Sequence, residues 1–267
     1  MKPRKYPTES GSMSDIEFKK DGHVAHVRIN KPKALNAISP DMDKALLNAW
    51  QTINDDPDIW CAVLSAEGER AFCVGADVSS GLPDERMAVG GGLTGIGGPL
   101  VTLKKPLVAA VQGYCLGAGF EIAMCADIIV AADSTQFGLP ETRVGIIGEC
   151  GVVHRAIRQL PHHIAMALIL TGERMPVADL APYGLVNEVV PFDQLEATAI
   201  KWADKIIASS PLAVQAAKEA ALARASDSLE VALTTKFEAI EAYANSNDVK
   251  EGSAAFREKR KPNWTAT

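Results

Sequence analysis

Two glutamates, Glu121 and Glu141, have the residue type and the surroundings for acid–base chemistry. Glu121 lies among small and apolar residues after a glycine-rich turn, and Glu141 follows Pro140 ahead of a second apolar run. An ionised carboxylate is costly to bury without a partner, so such a group usually has a structural partner or a chemical role. Two acids in different surroundings can act as base and acid. The alternative is that both are surface residues at helix N-termini, where the macrodipole favours negative charge.

Two glycine turns could hold a negatively charged oxygen beside these acids. Residues 113–119 read Gly-Tyr-Cys-Leu-Gly-Ala-Gly, and residues 72–77 read Phe-Cys-Val-Gly-Ala-Asp. The first turn lacks the ending of a phosphate-binding P-loop and does not complete a dinucleotide-binding fingerprint. A glycine turn that opens a helix exposes main-chain N–H groups suited to a developing oxyanion, and Ala76 and Ala118 would each supply one donor. The alternative is that both segments are merely tight turns.

The elements that would carry these residues alternate between strands and helices up to about residue 193. Apolar runs predict strands at 23–29, 60–65, 106–113 and 127–132. Ser39-Pro40 predicts a helix start, with serine as the N-cap. Such alternation is typical of stacked β/α units with crossover connections. The rest of the chain is predicted to be helical, with helices at 195–208, 211–225, 229–244 and 249–259.

These patterns predict three regions. Residues 1–12 are polar and contain prolines, and we predict a disordered extension that adds nothing to the fold. Residues 13–192 are predicted to form the core with the active site, and residues 193–267 a helical lobe that covers the core or a partner subunit. Between residues 81 and 99, dense glycine and the loss of hydrophobic periodicity predict either an active-site flap or a plain flexible loop.

Composition restricts the class of partner. A net charge of −6 argues against general attraction to nucleic acid or anionic lipid, which requires an excess of basic residues. No apolar stretch is long enough to span a membrane, and the N-terminus has no signal peptide, so the sequence predicts a soluble, cytoplasmic protein. The 5 cysteines have no paired metal-ligand spacing and are typical of reduced, buried thiols.

Several motifs together resemble the crotonase, or enoyl-CoA hydratase/isomerase, superfamily over nearly the whole chain from Ile16 to Trp264. They lie at residues 31–37, 75–77, 105–113, 117–121 and 137–141, with further similarity at 170–173, 183–189 and 256–260. Each motif alone is a weak signal, whereas their order and intervals together are highly specific. The resemblance implies an α/β fold, a crotonase-like spiral of ββα units with a C-terminal helical lobe. It also implies a homotrimer or homohexamer formed through that lobe.

The resemblance further implies an acyl-CoA thioester substrate and no separate cofactor, because coenzyme A is part of the substrate. By similarity, the N–H groups of Ala76 and Ala118 form the oxyanion hole. Glu121 and Glu141 match the two acidic positions of the hydratases. The expected reaction is reversible addition of water to a 2-enoyl-CoA, giving a 3-hydroxyacyl-CoA. Glu121 would deprotonate the attacking water, and Glu141 would protonate the α carbon.

Substrate contacts are also carried over from the resemblance. Lys31 and Lys33 could meet the phosphates of coenzyme A, and Lys259 could reach them from a neighbouring subunit; solvated surface lysine is the alternative for each. The complete set of predicted substrate-binding residues is Lys31, Lys33, Ala34, Leu35, Asp77, Val78, Gly119 and Lys259.

The sequence departs from the hydratase pattern after the second glutamate. Hydratases usually continue there through a Pro-Gly-x-Gly-Gly turn, whereas residues 145–151 read Gly-Ile-Ile-Gly-Glu-Cys-Gly. Glu149 would add a third carboxylate, which would raise the pKa values of its neighbours or reshape the acyl pocket. The Phe120-Glu121 pair and the ending at residues 261–264 are similar to those of carnitinyl-CoA dehydratases. This similarity is a hint about the substrate only.

Two alternative functions remain open from the sequence. The first keeps the fold and the oxyanion hole but catalyses double-bond isomerisation, thioester hydrolysis or decarboxylation. The second is a non-catalytic, RNA-binding relative. Against the second, residues 41–55 carry one lysine against several acids, and the chain has no basic stripe with interleaved aromatic residues.

Overall fold

Two sheets form the framework of the computed structural model, which describes residues 15–77, 95–96, 101–148, 151–223 and 225–267. The predicted extension at 1–12 and the predicted flap at 81–99, apart from residues 95–96, lie outside the described residues. The described strands are β1 (Ile16–Asp21), β2 (Val24–Ile29), β3 (Cys61–Ala66), β4 (Ala71–Cys73), β5 (Leu107–Val111), β6 (Tyr114–Leu116), β7 (Ile128–Ala132), β8 (Gln136–Gly138), β9 (Arg174–Pro176) and β10 (Glu188–Val190).

The chain steps back and forth between the two sheets. The larger sheet has the order β1-β2-β3-β5-β7-β10 and is parallel except for β1. The smaller sheet has the order β4-β6-β8-β9 and is parallel except for β9. Strands β3, β5 and β7 belong to the larger sheet, and the strand after each of them belongs to the smaller one. This repetition confirms the predicted α/β spiral of ββα units.

Helices connect and cover these strands. The described α-helices are α1 (Pro40–Asp55), α2 (Ala118–Met124), α3 (Val152–Gln159), α4 (His162–Thr171), α5 (Val177–Leu180), α6 (Phe192–Ile207), α7 (Pro211–Ala223), α8 (Leu229–Thr234), α9 (Glu238–Ala244) and α10 (Asn247–Glu258). Short 3-10 helices lie at Pro32–Ala34, Pro140–Val144 and Ala181–Tyr183. The predicted start of α1 is confirmed, since the Ser39 hydroxyl accepts a hydrogen bond from the Met42 N–H at 3.4 Å.

Alternate residues of the buried strands pack into different cores, as the two-residue repeat of a strand requires. Along β5, Leu107, Ala109 and Val111 face the main core, which also contains residues of α1, α2 and the smaller sheet. Val108 and Ala110 face a second core on the other side of the larger sheet. Helix α6 completes this second core with Leu195, Ala199 and Ala203. The first helix of the predicted C-terminal lobe therefore packs directly on the sheet.

One predicted helix, at residues 229–244, is wrong in the structure, because two helices replace it. Helix α8 ends at Thr234, Thr235 is extended, and α9 begins after Phe237. The hydroxyls of Thr234 and Thr235 donate to main-chain oxygens of the preceding turn, which competes with continued helix formation. Phe237 is buried at the break. Within the described residues, no helix combines the length and the apolar character needed to cross a membrane.

Candidate active site

Glu121 lies in the first turn of α2 and is 1 % exposed. Neither of its carboxyl oxygens has a hydrogen-bond partner among the described residues. Burial raises its pKa to about 8; the nearby positive charge of Arg155 opposes this rise in the pKa, and the negative charge of Glu141 adds to it. The main-chain N–H of Val152 faces the carboxyl group without reaching hydrogen-bond geometry, and it also favours the ionised form. Glu121 is therefore not a surface acid at a helix N-terminus.

Glu141 lies in the 3-10 helix Pro140–Val144 and is partly buried, which raises its pKa as well. Its carboxyl group lies beside the turn that opens α2, because a Cβ atom built on Gly117 would be 3.0 Å from Glu141 Oε1. A Cβ atom on Gly148 would be 3.4 Å from the same oxygen. The structure thus brings Glu141 to the turn that precedes Glu121 by four residues.

The two glycine turns touch each other at their glycines. A Cβ atom on Gly75 would be 3.6 Å from the Ala118 nitrogen, and a Cβ atom on Gly119 would overlap the carbonyl oxygen of Cys73. Parallel pairing of β4 with β6 produces this contact, since each turn follows one of these strands. The predicted turn at 113–119 contains β6, so only its second half is a turn. Gly117 has a φ of 54°, which glycine adopts without strain.

The main-chain N–H groups of Ala76 and Ala118 are both unused within the described residues. Ile38 donates to the Gly75 carbonyl oxygen at 2.9 Å, and Asp77 donates to the Ile38 carbonyl oxygen at 2.8 Å. Gly75 and Asp77 are thus the two residues bonded to Ile38 in this parallel bridge. The N–H of Ala76, which lies between them in sequence, points away from Ile38. Ala118 is the first residue of α2, where N–H groups have no partner within the helix. Two main-chain donors on touching turns can bind one oxygen.

The loop before α1 contacts the turn of Ala76 through Lys31. Its ammonium nitrogen lies 3.2 Å from Asp77 Oδ2, so two predicted substrate-binding residues form an ion pair. Asn36, which the sequence reasoning missed as a site residue, holds this loop in place. Its side chain accepts a hydrogen bond from the Lys31 N–H at 2.9 Å and donates to the carbonyl oxygens of Glu67 and Ala71. Asn36 and Leu35 both have a positive φ, which the buried amide stabilises.

The remaining predicted site residues have no described contact with the two acids or the two glycine turns. Lys33 and Lys259 are exposed, and no ion pair or hydrogen bond links either to the cluster within the described part of the chain. Ala34 and Leu35 are partly buried at the end of the 3-10 helix beside Lys31. Val78 and Glu149 lie outside the described residues.

The sequence reasoning also missed the start of α3 as part of the site. Val152 is its first residue, and Arg155 follows within one turn. The charge of Arg155 and the main-chain N–H of Val152 both oppose the rise in the pKa of Glu121. Gly151 ahead of an apolar run that contains basic residues was the available signal for a helix start, but no motif linked this helix to the acid.

This burial leads to a prediction about stability. The pKa of Glu121 rises from 4.5 to about 8 on folding, so the folded state retains a proton that the unfolded state releases over this pH range. Wild-type stability should therefore fall, relative to that of a Glu121→Gln variant, as pH rises from 4.5 to 8. Between pH 5 and pH 8.5 this change is about 4 kcal/mol. Urea unfolding of both proteins at pH 5 and pH 8.5 measures it; a stability difference that does not change with pH would contradict the burial of this acid.

Within the described residues, an α/β spiral brings Glu141 and two touching glycine turns to the start of the helix that carries the buried Glu121. This arrangement suits a class of enzyme that transfers protons next to main-chain N–H groups. The chain belongs to the enoyl-CoA hydratase/isomerase family, whose model matches residues 19–267.

Named relatives agree with this assignment. A probable mitochondrial enoyl-CoA hydratase from Dictyostelium discoideum is 36% identical over 266 residues, covering 98% of this chain and 94% of the relative. A carnitinyl-CoA dehydratase from Proteus mirabilis is 36% identical over 253 residues, covering 91% of this chain and 95% of its own. The crystal structure of a candidate short chain enoyl-CoA hydratase from Novosphingobium aromaticivorans is 66% identical, with a TM-score of 0.88 and coverage of 96% and 99%. The predicted superfamily and enzyme class are confirmed, and these names support hydration.

Proposed function

We propose that the protein reversibly adds water to a 2-enoyl-CoA, giving a 3-hydroxyacyl-CoA. The observation that carries the proposal is the contact of Glu141 with Gly117 at the turn whose helix holds the buried Glu121. This contact supports a shared site for Glu141, Glu121 and the N–H of Ala118. Family membership and the hydratase-named relatives support the same reaction.

The main-chain donors of Ala76 and Ala118 would bind the thioester carbonyl oxygen. Addition of water to the β carbon pushes charge onto this oxygen, so donors aimed at it stabilise the transition state more than the ground state. Because the donors are main-chain groups on turns that touch, they require no rearrangement when the charge develops. Small side chains at both positions let the thioester approach the main chain closely.

The two acids would divide the proton transfers. Burial raises the pKa of Glu121 to about 8 and also raises that of Glu141, and two neighbouring carboxylates resist losing both protons. One acid can then accept a proton from water while the other gives one to the α carbon. We assign the first role to Glu121 and the second to Glu141. This assignment requires that Glu121 is ionised when substrate is bound.

Cations near the cluster would meet the phosphates of coenzyme A. Lys31 is the best placed because its ion pair with Asp77 already holds it at the turn of Ala76. Lys33, and Lys259 from a neighbouring subunit, are further candidates. No separate cofactor takes part in this proposal, since coenzyme A is part of the substrate.

We also propose a homotrimer or homohexamer in the cytoplasm. Large apolar side chains on the C-terminal helices support assembly, because Leu229, Leu233 and Phe256 are between 75% and 87% exposed in the single chain. Reduced thiols support the compartment, since Cys61, Cys73, Cys115 and Cys125 are free. Neither nucleic acid nor membrane is a proposed partner.

Incubation with crotonyl-CoA tests the proposed reaction. We expect loss of the enoyl absorbance and formation of 3-hydroxybutyryl-CoA, identified by mass spectrometry. Release of free thiol without hydration, or conversion of a 3-enoyl-CoA without hydration of its 2-enoyl isomer, would replace the proposal with hydrolase or isomerase activity. Inactivity toward crotonyl-CoA and polar 2-enoyl-CoA thioesters alike would overturn it.

A further inference from the structure

The 3-10 helix that carries Glu141 is attached to the C-terminal end of α4 by the two residues that follow the acid. The Thr142 hydroxyl donates to the Ile169 carbonyl oxygen at 3.2 Å. Arg143 Nε donates to the Thr171 carbonyl oxygen at 2.8 Å. Both oxygens belong to the last turn of α4, where carbonyl groups have no donor within the helix. Thr142 and Arg143 thus supply donors that α4 lacks, and we call this contact the α4 attachment.

Arg143 crosses the end of α4 over Gly172. Gly172 follows the last residue of α4 and has a φ of 63°, a conformation that favours glycine. A Cβ atom built there would be 2.8 Å from Arg143 Cγ and 3.1 Å from Arg143 Cδ. The stem of Arg143 therefore occupies space that any other residue at position 172 would fill. Packing as well as hydrogen bonding fixes this side chain.

The hydrogen bond from Arg143 Nε is the strongest polar part of the α4 attachment. It is charge-assisted, and its acceptor lies at the negative end of the helix macrodipole. The guanidinium also lies 3.3 Å from Glu173 Oε1, but the two side chains are 54% and 70% exposed. Exposed ion pairs of this kind contribute little. Loss of the donor to Thr171 should therefore matter more than loss of the Glu173 charge.

The position of Glu141 depends on this attachment because its own helix is short. A 3-10 helix of 5 residues has few internal hydrogen bonds, and their geometry is poor. Before the acid, Leu139 anchors the chain in the main core. After the acid, the hydrogen bonds that join residues 142–144 to other described elements all go to α4 or to Glu173 just beyond it. Leu139 and the α4 attachment thus hold the Glu141 carboxyl beside Gly117 from both sides.

We propose that Arg143 is a positioning residue that holds Glu141 in place for proton transfer through the α4 attachment. The inference rests on the proposed hydratase reaction, in which Glu141 protonates the α carbon. Within the described residues, Arg143 has no hydrogen bond or ion pair with either acid or either glycine turn, so it acts through the position of Glu141. A shift of about 1 Å in an acid–base group can lower a rate by up to about 10², so an attachment outside the site can control turnover.

Steady-state kinetics with crotonyl-CoA test this role in Arg143→Met, which removes the donor but keeps an unbranched side chain that fits beside Gly172. We expect kcat to fall about 10- to 100-fold, with KM within about twofold of the wild-type value. Arg143→Lys keeps a cationic donor and should recover part of this loss. Glu173→Gln should keep the wild-type kcat, because it removes only the exposed ion pair. Wild-type kcat in Arg143→Met would overturn the inference.

Arg158→Met is the matched control for Arg143→Met. Arg158 is exposed and donates to the His154 carbonyl oxygen at 2.8 Å, the same distance as the bond from Arg143 Nε to Thr171. The control therefore removes an equivalent hydrogen bond that does not involve the helix of Glu141. Its kcat should match that of the wild type.

A double-mutant cycle with Glu141→Gln separates positioning from a general loss of structure. If Arg143 acts through Glu141, Arg143→Met should lower kcat by less than about twofold once that acid has been replaced. An equal loss in the wild-type and Glu141→Gln backgrounds would assign Arg143 a purely structural role and overturn the inference.

Amide hydrogen–deuterium exchange of residues 139–147, measured by mass spectrometry, gives a readout that needs no turnover. These amides should exchange faster in Arg143→Met than in wild type or Arg158→Met. Deuterium exchange at the α carbon of butyryl-CoA, a saturated thioester that cannot be hydrated, should slow in Arg143→Met as it does in Glu141→Gln. Both changes in a protein that does not hydrate crotonyl-CoA would overturn the proposed function and support this inference. Unchanged amide exchange would show that Arg143 does not hold the helix, and the inference would fail.

Discussion

Replacing Glu121 by glutamine is expected to lower the hydration rate of crotonyl-CoA by about 10² to 10⁴. Glutamine has nearly the same shape but cannot accept a proton from the attacking water. Because the wild-type carboxyl is buried without a hydrogen-bond partner among the described residues, the neutral amide should not destabilise the fold. The loss should therefore appear in kcat, measured by steady-state kinetics, with unchanged or higher thermal stability.

Glu141→Gln is expected to lower the rate by a similar factor, but the two variants should differ in solvent exchange. The acid that protonates the α carbon also removes that proton in the reverse direction. In deuterium oxide, Glu141→Gln should therefore lose deuterium incorporation at the α carbon of 3-hydroxybutyryl-CoA. In Glu121→Gln, the rate of this deuterium exchange should fall less, relative to wild type, than the rate of hydration. The opposite pattern would exchange the two roles.

An exposed acid serves as the control for both variants. Glu69 lies in the turn between β3 and β4 and is exposed, so Glu69→Gln removes a negative charge away from the two acids. Its kinetics should match those of the wild type. If either active-site variant retained wild-type turnover, that residue would be excluded from the chemistry.

Gly119→Ala is expected to lower kcat by about 10² to 10³ and to destabilise the fold by about 1 to 3 kcal/mol. The added methyl group would overlap the carbonyl oxygen of Cys73, a main-chain atom that cannot rotate away. The turns that carry Ala76 and Ala118 must then separate, so one donor would no longer reach the thioester oxygen. Crotonyl-CoA kinetics and urea unfolding measure the two effects.

Gly22→Ala separates this contact effect from a general cost of replacing glycine. Gly22 has a φ of 57° in the turn between β1 and β2, and no atom lies within 4 Å of a Cβ built there. The alanine variant should lose about 1 to 2 kcal/mol of stability through backbone strain. Its kcat should be unchanged. Equal kinetics for Gly119→Ala and wild type would show that the contact between the turns does not set the oxyanion site.

The sequence was informative wherever a local pattern was strong. Apolar runs located β2, β3, β5 and β7, and Ser39-Pro40 located the start of α1, because burial and capping depend on adjacent residues. Three-residue strands such as β4, β6 and β8 escaped prediction because they are too short for periodicity to appear. The break between α8 and α9 also escaped, since it depends on burial of Phe237 and on threonine hydroxyls bonding to the main chain.

The sequence by itself determined the family, the two acids and the two glycine turns, because residue types and intervals along the chain carry that information. Only the tertiary structure decided which of these groups meet. Pairing of β4 with β6 brings the turn of Ala76 to the turn of Ala118, although they are far apart in sequence. The start of α3 likewise brings the main-chain N–H of Val152 toward the buried Glu121 carboxyl. The pKa of that carboxyl depends on burial and on charges from other elements, and these are properties of the folded chain.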